Sequence, residues 1–352
     1  MHQEPESLPS RRLMLRGAGL AGAAAGMVAL AGCSSDTKSG GGNQAGSFPT
    51  TPKWKFVFVN HVTTNPFFQA TQYGIQDACD LLNVTYQWTG SETSNVSEMV
   101  SAMNTAITSG ADGIAVSLVD KKAFNAPTTQ ALAKKIPVVS YNADVPSNAR
   151  LAYVGQDLFA AGQAMGKRIA SAFPDGGSIA VFIATPGSLN IQPRADGAVA
   201  ALKAAGKNFT VKQVATGADV NPEQAAIDAF TQGNKGFKGL FAVDAGSTQG
   251  IANVMRKYNL KDKGYHGGGF DLLTPTEQAI SDGILDFTID QSAYMQGFLS
   301  VLYLYLYKLS GTLVSPATTD TGLKFVTKDL VAPYLKEKNR FEGSSPKQLY
   351  IH

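Results

Sequence analysis

From residue 54 onward, short apolar runs alternate with longer segments in which apolar residues recur every three or four positions. The short runs are nearly continuous in Val, Ile, Phe and Ala, which is typical of parallel strands covered on both faces. The longer segments have the spacing of amphipathic helices. Strands are predicted at Lys55–Asn60, Val84–Trp88, Gly113–Leu118, Pro137–Tyr141, Ser178–Ala184, Thr210–Ala215, Gly239–Val243 and Asp286–Asp290, and helices at Phe67–Leu82, Asn95–Thr108, Asp157–Ser171 and Pro193–Ala205. This alternation indicates an α/β fold with parallel sheets.

One segment fits two patterns. Leu302–Lys308 alternates leucine and tyrosine as a strand does, yet it continues a helical spacing that begins at Ser292. It stops at Ser310-Gly311, which is typical of a helix end. We therefore predict a helix whose tyrosines pack against the body of the protein, with a ligand-stacking stripe as the alternative.

The first 53 residues have the pattern of an export signal. The twin pair Arg11-Arg12 precedes the small and apolar run Gly17–Leu30, which is too short to span a bilayer. Leu30-Ala31-Gly32-Cys33 resembles a bacterial lipobox, in which the chain is cut before the cysteine and the thiol is lipidated. We predict a signal peptide over 1–32, a lipidated Cys33 and a flexible tether over 33–53. The protein is then exported, by the Tat or the Sec route, and anchored at the extracytoplasmic face of the cell membrane.

The composition excludes several classes of protein. Of the 352 residues, 44% are hydrophobic and 16% charged, as in an ordinary globular protein. The net charge of +3 is too small for a nucleic-acid binder, so no nucleic acid is expected as a partner. Two cysteines and four scattered histidines leave little material for a disulfide framework or a metal site. Cys79 lies on the apolar face of a predicted helix and is expected to be an inert buried thiol.

Three motifs imitate enzyme signatures, but each lacks the required context. Gly17–Gly22 matches the dinucleotide-binding glycine pattern, although no strand precedes it. His266-Gly267-Gly268-Gly269 resembles an esterase oxyanion segment, but Gly246–Gly250 places Thr248 where the nucleophilic serine belongs. Gly162–Lys167 is one residue short of a phosphate-binding loop. We therefore expect no catalytic residue, no cofactor and no enzymatic activity.

Polar residues and aromatic pairs follow several of the predicted strands. Open α/β sheets bind ligands beyond the carboxyl ends of their strands, so these positions are candidate ligand contacts. In chain order the segments are Asn65-Pro66-Phe67-Phe68, Ile136–Asn142, Val154–Asp157, Gly269–Asp271 and Thr288–Gln291. This ordered set, spread over residues 54–330, resembles the ribose-type periplasmic sugar-binding proteins, which are the solute receptors of bacterial ABC importers.

The resemblance implies two doubly wound parallel-sheet lobes joined by a hinge of three chain crossings. The crossings are expected near Gln156, Gln291 and Thr318. Lobe 1 then comprises 54–156 and 292–318, lobe 2 comprises 157–291 and 319–340, and 341–352 form a C-terminal tail. Ligand is expected in the cleft between the lobes, which closes around it.

The resemblance also implies which residues bind the ligand. Asn65 matches an asparagine that binds a sugar hydroxyl, and Arg194 matches an arginine that reaches into the cleft. The full set is aromatic Phe67 and Phe68 together with polar Asn65, Asn142, Arg194, Asp244, Asp271 and Gln291. His61 and Trp88 follow strands at the cleft edge and are further candidates. The chemistry is coherent without the family, because sugars present hydroxyls to planar polar groups and C–H faces to aromatic rings.

One position departs from the ribose-type pattern. The family often has an arginine directly after the position of Asn142, where this chain has Ala143 followed by Asp144. The loss of that bidentate group argues against D-ribose, and leaves a polyol, another pentose, a hexose or a furanose-like signal molecule open.

The expected partners follow from the same resemblance. We expect a monomer that captures a sugar or polyol and delivers it to a membrane permease driven by a separate ATPase. An exported sensor receptor of the same fold is the alternative. The effector domains of LacI-type repressors also share the fold, but they carry a helix-turn-helix where this chain has an export signal.

Overall fold

The computed structural model describes residues 49–336 and 338–348. The predicted signal peptide, Cys33 and most of the predicted tether lie outside the described residues, as do Glu337 and residues 349–352. Among the described residues, no helix is both long and apolar enough to cross a bilayer.

Lobe 1 is built on a six-stranded parallel sheet with the order β11-β5-β4-β3-β1-β2. Successive side chains of β1 point to opposite faces, so Val57 packs beneath one helical layer and Phe58 beneath the other. Apolar residues are therefore needed on both faces of the strand. The elements are β1 Lys55–Asn60, α1 Phe68–Leu82, β2 Thr85–Gly90, α2 Val96–Thr108, β3 Gly113–Val116, α3 Asn125–Ala133, β4 Val138–Tyr141, β5 Ala152–Gly155, α9 Ala293–Ser310 and β11 Thr318–Asp320.

Lobe 2 repeats this arrangement with the order β12-β10-β9-β8-β6-β7. Its pairings are parallel except that of β10 with β12, which is antiparallel. The elements are α4 Leu158–Ala172, β6 Gly177–Ile183, α5 Gln192–Ala204, β7 Phe209–Ala215, α6 Val220–Gly233, β8 Gly239–Ala242, α7 Ala245–Lys257, a 3₁₀ turn Lys261–Lys263, β9 His266–Phe270, α8 Thr274–Ser281, β10 Phe287–Asp290, β12 Lys324–Val326 and α10 Ala332–Lys336. The two-lobed α/β fold predicted from the sequence is confirmed.

The eight predicted strands are present, with ends shifted by no more than two residues. Four strands were missed, namely β5, β9, β11 and β12. Strand β9 contains three consecutive glycines, which have low strand propensity. The structure explains two of these glycines. A Cβ at Gly267 would lie 2.5 Å from Met255 Sδ, and one at Gly269 would lie 2.1 Å from Thr248 Oγ1. Both neighbours belong to helix α7, which packs so closely on β9 that no side chain fits at these two positions.

The chain crosses between the lobes after β5, after β10 and after β11. The first two crossings contain Gln156 and Gln291, where the sequence analysis expects them. The third lies slightly beyond Thr318, because β11 pairs with lobe 1 as far as Asp320. Residues 319 and 320 therefore belong to the sheet of lobe 1 rather than to lobe 2.

The chain returns to lobe 1 after helix α10. Arg340 forms an ion pair of 2.6 Å with Asp77 on α1. The ring of Phe341 meets Tyr294, at the start of α9, edge to face at 4.8 Å. Arg340 and Phe341 are thus packed against lobe 1.

Candidate ligand-binding site

A cavity of about 40 Å³ lies between the lobes, where the carboxyl ends of both sets of strands meet. It brings together nine of the ten predicted site residues, and only Trp88 is missing from its lining. Three further residues line it that the sequence analysis did not select, namely Asn190, Ile191 and Ala245. Asn65, Arg194 and Asp271 therefore share one space, although their contact with a ligand stays a prediction.

Arg194 on α5 is the largest of the fully buried side chains. Its Nη1 donates to the carbonyl of Val243 at 3.1 Å and its Nη2 donates to Gln156 Oε1 at 3.1 Å. The guanidinium lies over the ring of Phe270, 4.2 Å from its centroid. Nε has no hydrogen-bond partner among the described residues. The group is thus held rigidly and keeps N–H donors for a ligand oxygen.

Asp271 follows β9 and has a left-handed backbone, with φ of 77°. Its Oδ1 accepts from Gln291 Nε2 at 2.6 Å. Burial raises the pKa of this carboxyl to about 7, while the charge of Arg194 opposes that rise. In its ionised form, which this pKa makes dominant above about pH 7, Asp271 is a strong acceptor in a buried environment, where a ligand hydroxyl gains most from a charged partner.

Asp244 has a structural task as well as a place in the cavity lining. It caps α7, since Oδ1 accepts from Ser247 N at 2.8 Å while Oδ2 accepts from Ala184 N at 2.9 Å. Beside it lies buried Glu223 on α6, whose pKa is raised to about 9 by burial first and by the charge of Asp244 second. Nothing in the local sequence distinguishes Glu223 from a solvated helical glutamate, so this neighbour was missed.

An unbroken chain of side-chain amides connects the two lobes behind the cavity. Asn142 Nδ2 donates to Gln296 Oε1 at 3.2 Å, and Gln296 Nε2 donates to Gln291 Oε1 at 3.0 Å. Gln291 in turn donates to Asp271. Gln296 is fully buried at the start of α9 and was not identified from the sequence.

His61 and Asn190 join the lobes directly across the cleft. His61 Nε2 lies 2.9 Å from Asn190 Nδ2, and His61 Nδ1 lies 3.1 Å from Ser117 Oγ. Burial lowers the pKa of the imidazole to about 3, so the ring is neutral and its Nε2 accepts from the amide. A backbone bond of 2.9 Å from Leu189 N to Val119 O runs beside this contact. The lobes are therefore closed on each other around the cavity.

The aromatic side of the cavity is formed by the start of α1. Phe67 and Phe68 meet edge to face at 4.8 Å, and the amide N–H of Phe67 donates to Asn65 Oδ1 at 3.0 Å. Trp88 lies behind Phe68, at 5.8 Å between ring centroids, and its indole N–H donates to the carbonyl of Thr63. The structure thus places Trp88 as support for Phe68, outside the cavity lining.

The residues after Asn142 do not replace the missing arginine. Ala143 is fully buried, and Asp144 forms an ion pair of 2.6 Å with Arg150. That pair lines a larger groove of about 430 Å³ beside the hinge. Asp144 and Arg150 in the groove already neutralise each other, whereas the smaller cavity between the lobes retains an unpaired donor on Arg194. The smaller cavity is therefore the better ligand site.

The tyrosines of α9 lie in the body of lobe 1. Tyr303 and Tyr305 are buried, and Tyr303 Oη lies 2.7 Å from Thr319 Oγ1. Neither lines the cavity. The predicted helix is confirmed, and the ligand-stacking stripe considered as an alternative is wrong.

Comparison with known proteins gives consistent matches. A family model described as the periplasmic binding protein domain matches residues 56–311. The xylose/arabinose-binding protein XylF of Sulfolobus acidocaldarius is 51% identical over 314 residues, which cover 85% of this chain and 77% of XylF.

Solved structures match over the same region. A solute-binding protein of an ABC transporter from Burkholderia graminis, in complex with D-arabinose, superposes with a TM-score of 0.75 at 25% identity. It covers 82% of this chain and 100% of its own. XylFII in its complex with LytSN superposes with a TM-score of 0.74 at 22% identity, over 80% of this chain and 100% of its own, which supports the fold.

Proposed function

Because the chain belongs to the periplasmic binding protein domain family, we propose that it captures an aldopentose of the xylose or arabinose type between its two lobes. The chain is a binding protein and not an enzyme, as its relatives are. The choice of sugar is supported by the similarity to XylF and to the arabinose-bound protein.

The observation that carries the proposal is the composition of the closed cavity. Lobe 1 contributes Asn142 and the ring of Phe68, and lobe 2 contributes Arg194 and Asp271. A pentose offers hydroxyls that both donate and accept, together with apolar C–H faces, and this set of side chains matches both. A buried polar group left unpaired costs about 1–3 kcal/mol, so the wrong stereoisomer is rejected steeply.

Ligand closes the hinge because it contacts both lobes. An open form exposes the polar groups of each lobe to water, whereas a sugar in the cavity bridges them and favours the closed form. The direct contact of His61 with Asn190 is available only when the lobes approach each other. A permease or a sensor that binds only the closed form would therefore bind the protein only when it holds sugar.

The proposal also covers membrane anchoring at Cys33, which lies outside the described residues, and delivery of the sugar to a permease. Lipidation at Cys33 after export would hold the protein at the extracytoplasmic face of the membrane, where a permease with a separate ATPase takes up the sugar. Replacement of Cys33 by serine should abolish fatty-acid labelling and release the protein from the membrane fraction. Labelling that persists in Cys33→Ser would contradict the anchor.

Sensing is a second candidate function. It is favoured by the similarity in fold to XylFII, which was solved in complex with LytSN. Deletion of the gene from its host separates the two functions. Loss of sugar uptake would indicate delivery, and loss of the transcriptional response to sugar with normal uptake would indicate sensing.

Calorimetry tests the binding function. The full chain should bind D-xylose or arabinose, tested as both the D and the L enantiomer, more tightly than D-ribose or D-glucose. Asp271→Asn keeps the shape and the left-handed backbone preference but removes the charge, and charged hydrogen bonds contribute about 1.5–3 kcal/mol. We expect about 10- to 150-fold weaker binding. The exposed Asp175→Asn is the matched control and should bind normally, and a failure of the wild type to bind any pentose would refute the proposal.

A further inference from the structure

The amide of Gln296 is held in one orientation by the backbone. Its Nε2 lies 3.3 Å from the main-chain carbonyl oxygen of Gln291 and 3.0 Å from the side-chain Oε1 of the same residue. A carbonyl oxygen can only accept, so the nitrogen of Gln296 must face it. The same carbonyl also accepts from Thr321 Oγ1 at 2.7 Å, which ties it to the third crossing.

This orientation determines the direction of every other bond in the amide chain. With its nitrogen turned towards Gln291, Gln296 presents Oε1 to Asn142, which must answer with its own amide nitrogen. On the other side, Gln291 uses Oε1 to accept from Gln296 and therefore gives Nε2 to Asp271. The reversed amide of any one member would place acceptor against acceptor or donor against donor.

The orientation of the Asn142 amide is consequently fixed. One of its N–H groups is used on Gln296, and Oδ1, which has no partner elsewhere in the described part of the chain, is left to accept from a ligand in the cavity. The main chain of Asn142 is held in place as well, because its N–H donates to Val154 O at 3.1 Å and its carbonyl accepts from Tyr153 Oη at 3.3 Å. The bond to Gln296 is therefore what keeps the side-chain amide from turning over.

We propose that Gln296, which does not line the cavity, is a specificity-determining positioning residue that fixes Asn142 Oδ1 as a hydrogen-bond acceptor, so that the sugar hydroxyl facing this oxygen must donate. The proposal rests on the sugar-binding function proposed above. Asn142 and Asp271 are then both acceptors, one from each lobe, and Arg194 supplies donors. An asparagine free to turn would accept from or donate to the same hydroxyl and would discriminate less.

Deoxyfluoro sugars test this directly, since fluorine in place of a hydroxyl cannot donate. The probe is whichever of D-xylose, D-arabinose and L-arabinose the wild type binds most tightly, with its deoxyfluoro analogues at each hydroxyl position, measured by calorimetry. Asn142→Ala identifies the relevant carbon, because only there should the penalty for fluorine fall. In the wild type we expect about a tenfold or larger loss of affinity for fluorine at that carbon.

Gln296→Met removes both hydrogen-bonding groups while retaining an elongated side chain of similar bulk. Asn142 is then free to turn, and the fluorine penalty at that carbon should shrink at least about fivefold, while penalties at other carbons stay unchanged. Gln296→Glu, protonated in this fully buried position, keeps a carbonyl oxygen towards Asn142 and offers an O–H donor to the carbonyl oxygen of Gln291, so it should preserve the penalty even if overall affinity falls. A merely structural role for Gln296 would weaken all the sugars alike.

The outcomes separate the two proposals. A fluorine penalty that is unchanged in Gln296→Met, or equally lost in Gln296→Glu, overturns the role of Gln296 while leaving sugar binding intact. Should the methionine variant fail to fold, the glutamate variant still decides, because loss of the penalty there contradicts the assignment. Absence of pentose binding in the wild type refutes the proposed function and this role with it.

Discussion

Replacement of Asn190 by alanine should speed up the release of bound sugar. Asn190 belongs to lobe 2, and its amide is 2.9 Å from Nε2 of His61 in lobe 1. The substitution leaves a nearly buried imidazole nitrogen without its partner across the cleft, since only 5% of the His61 surface is exposed. An unpaired buried acceptor costs about 1–3 kcal/mol, which corresponds to a dissociation constant about 5- to 150-fold larger.

The effect should lie in the dissociation rate. The contact between His61 and Asn190 exists only after the lobes have met, so it stabilises the closed complex more than the encounter that precedes closure. Stopped-flow fluorescence can follow release, because Trp88, one of only two tryptophans, packs against Phe68 of the cavity. The half-buried Asn253→Ala is the matched control, since it removes a similar amide bond of 2.8 Å to Gln224 within lobe 2.

Two results would refute this reasoning. One is a release rate in Asn190→Ala within twofold of the wild type. The other is a weaker affinity that arises entirely from slower association. Either would mean that the cross-cleft contact does not hold the complex closed, and that the backbone bond between Leu189 and Val119 is sufficient.

Three further predictions follow from packing and charge. Gly162→Ala should lower the thermal midpoint and the sugar affinity, since its Cβ would lie 2.1 Å from the carbonyl oxygen of Arg194. Gly233→Ala is the control, because a Cβ there would meet open space, and it should raise the free energy of unfolding by about 0.5–1 kcal/mol in denaturant titrations. Glu223→Gln should raise the thermal midpoint more at pH 8 than at pH 5. The folded-state pKa of about 9 lies above the ordinary 4.5, so stability is lost as pH rises through this window, and an equal effect at both pH values would contradict the buried-acid interpretation. Arg340→Ala should lower the midpoint modestly by breaking the ion pair with partly exposed Asp77, and an unchanged midpoint would mean that the C-terminal return does not stabilise lobe 1.

The strands and the residues at their ends could be predicted because their pattern is local. Strand β1 was predicted with its observed bounds, since a buried parallel strand needs apolar residues on both faces and its interior, residues 56–59, is apolar. Asn142 directly follows a predicted strand, whereas Asp271 follows the missed strand β9 and was identified through the resemblance to the ribose-type sugar-binding proteins. The rule that ligands bind at carboxyl ends needs no knowledge of which strands are neighbours.

Gln296, Asn190 and Glu223 could not be predicted in the same way. Gln296 lies within an apolar helix and is 154 residues away from Asn142, its partner in the amide chain. Asn190 is in a loop 129 residues from His61. Glu223 looks like an ordinary helical glutamate until α6 packs against the glycine-rich start of α7. Their roles come from partners that are distant in sequence.

The sequence by itself determined the α/β class and the positions of most strands, because hydrophobic periodicity and turn chemistry act over a few neighbouring residues. The polar residues at the strand ends were identified from the sequence through its resemblance to a known family. Only the tertiary structure decided that Trp88 supports Phe68 from behind, that Arg340 and Phe341 pack against lobe 1, and that the amide of Asn142 turns its oxygen to the cavity. Packing and hydrogen-bond direction depend on atoms brought together from both lobes. No local pattern encodes which of two distant amides must donate and which must accept.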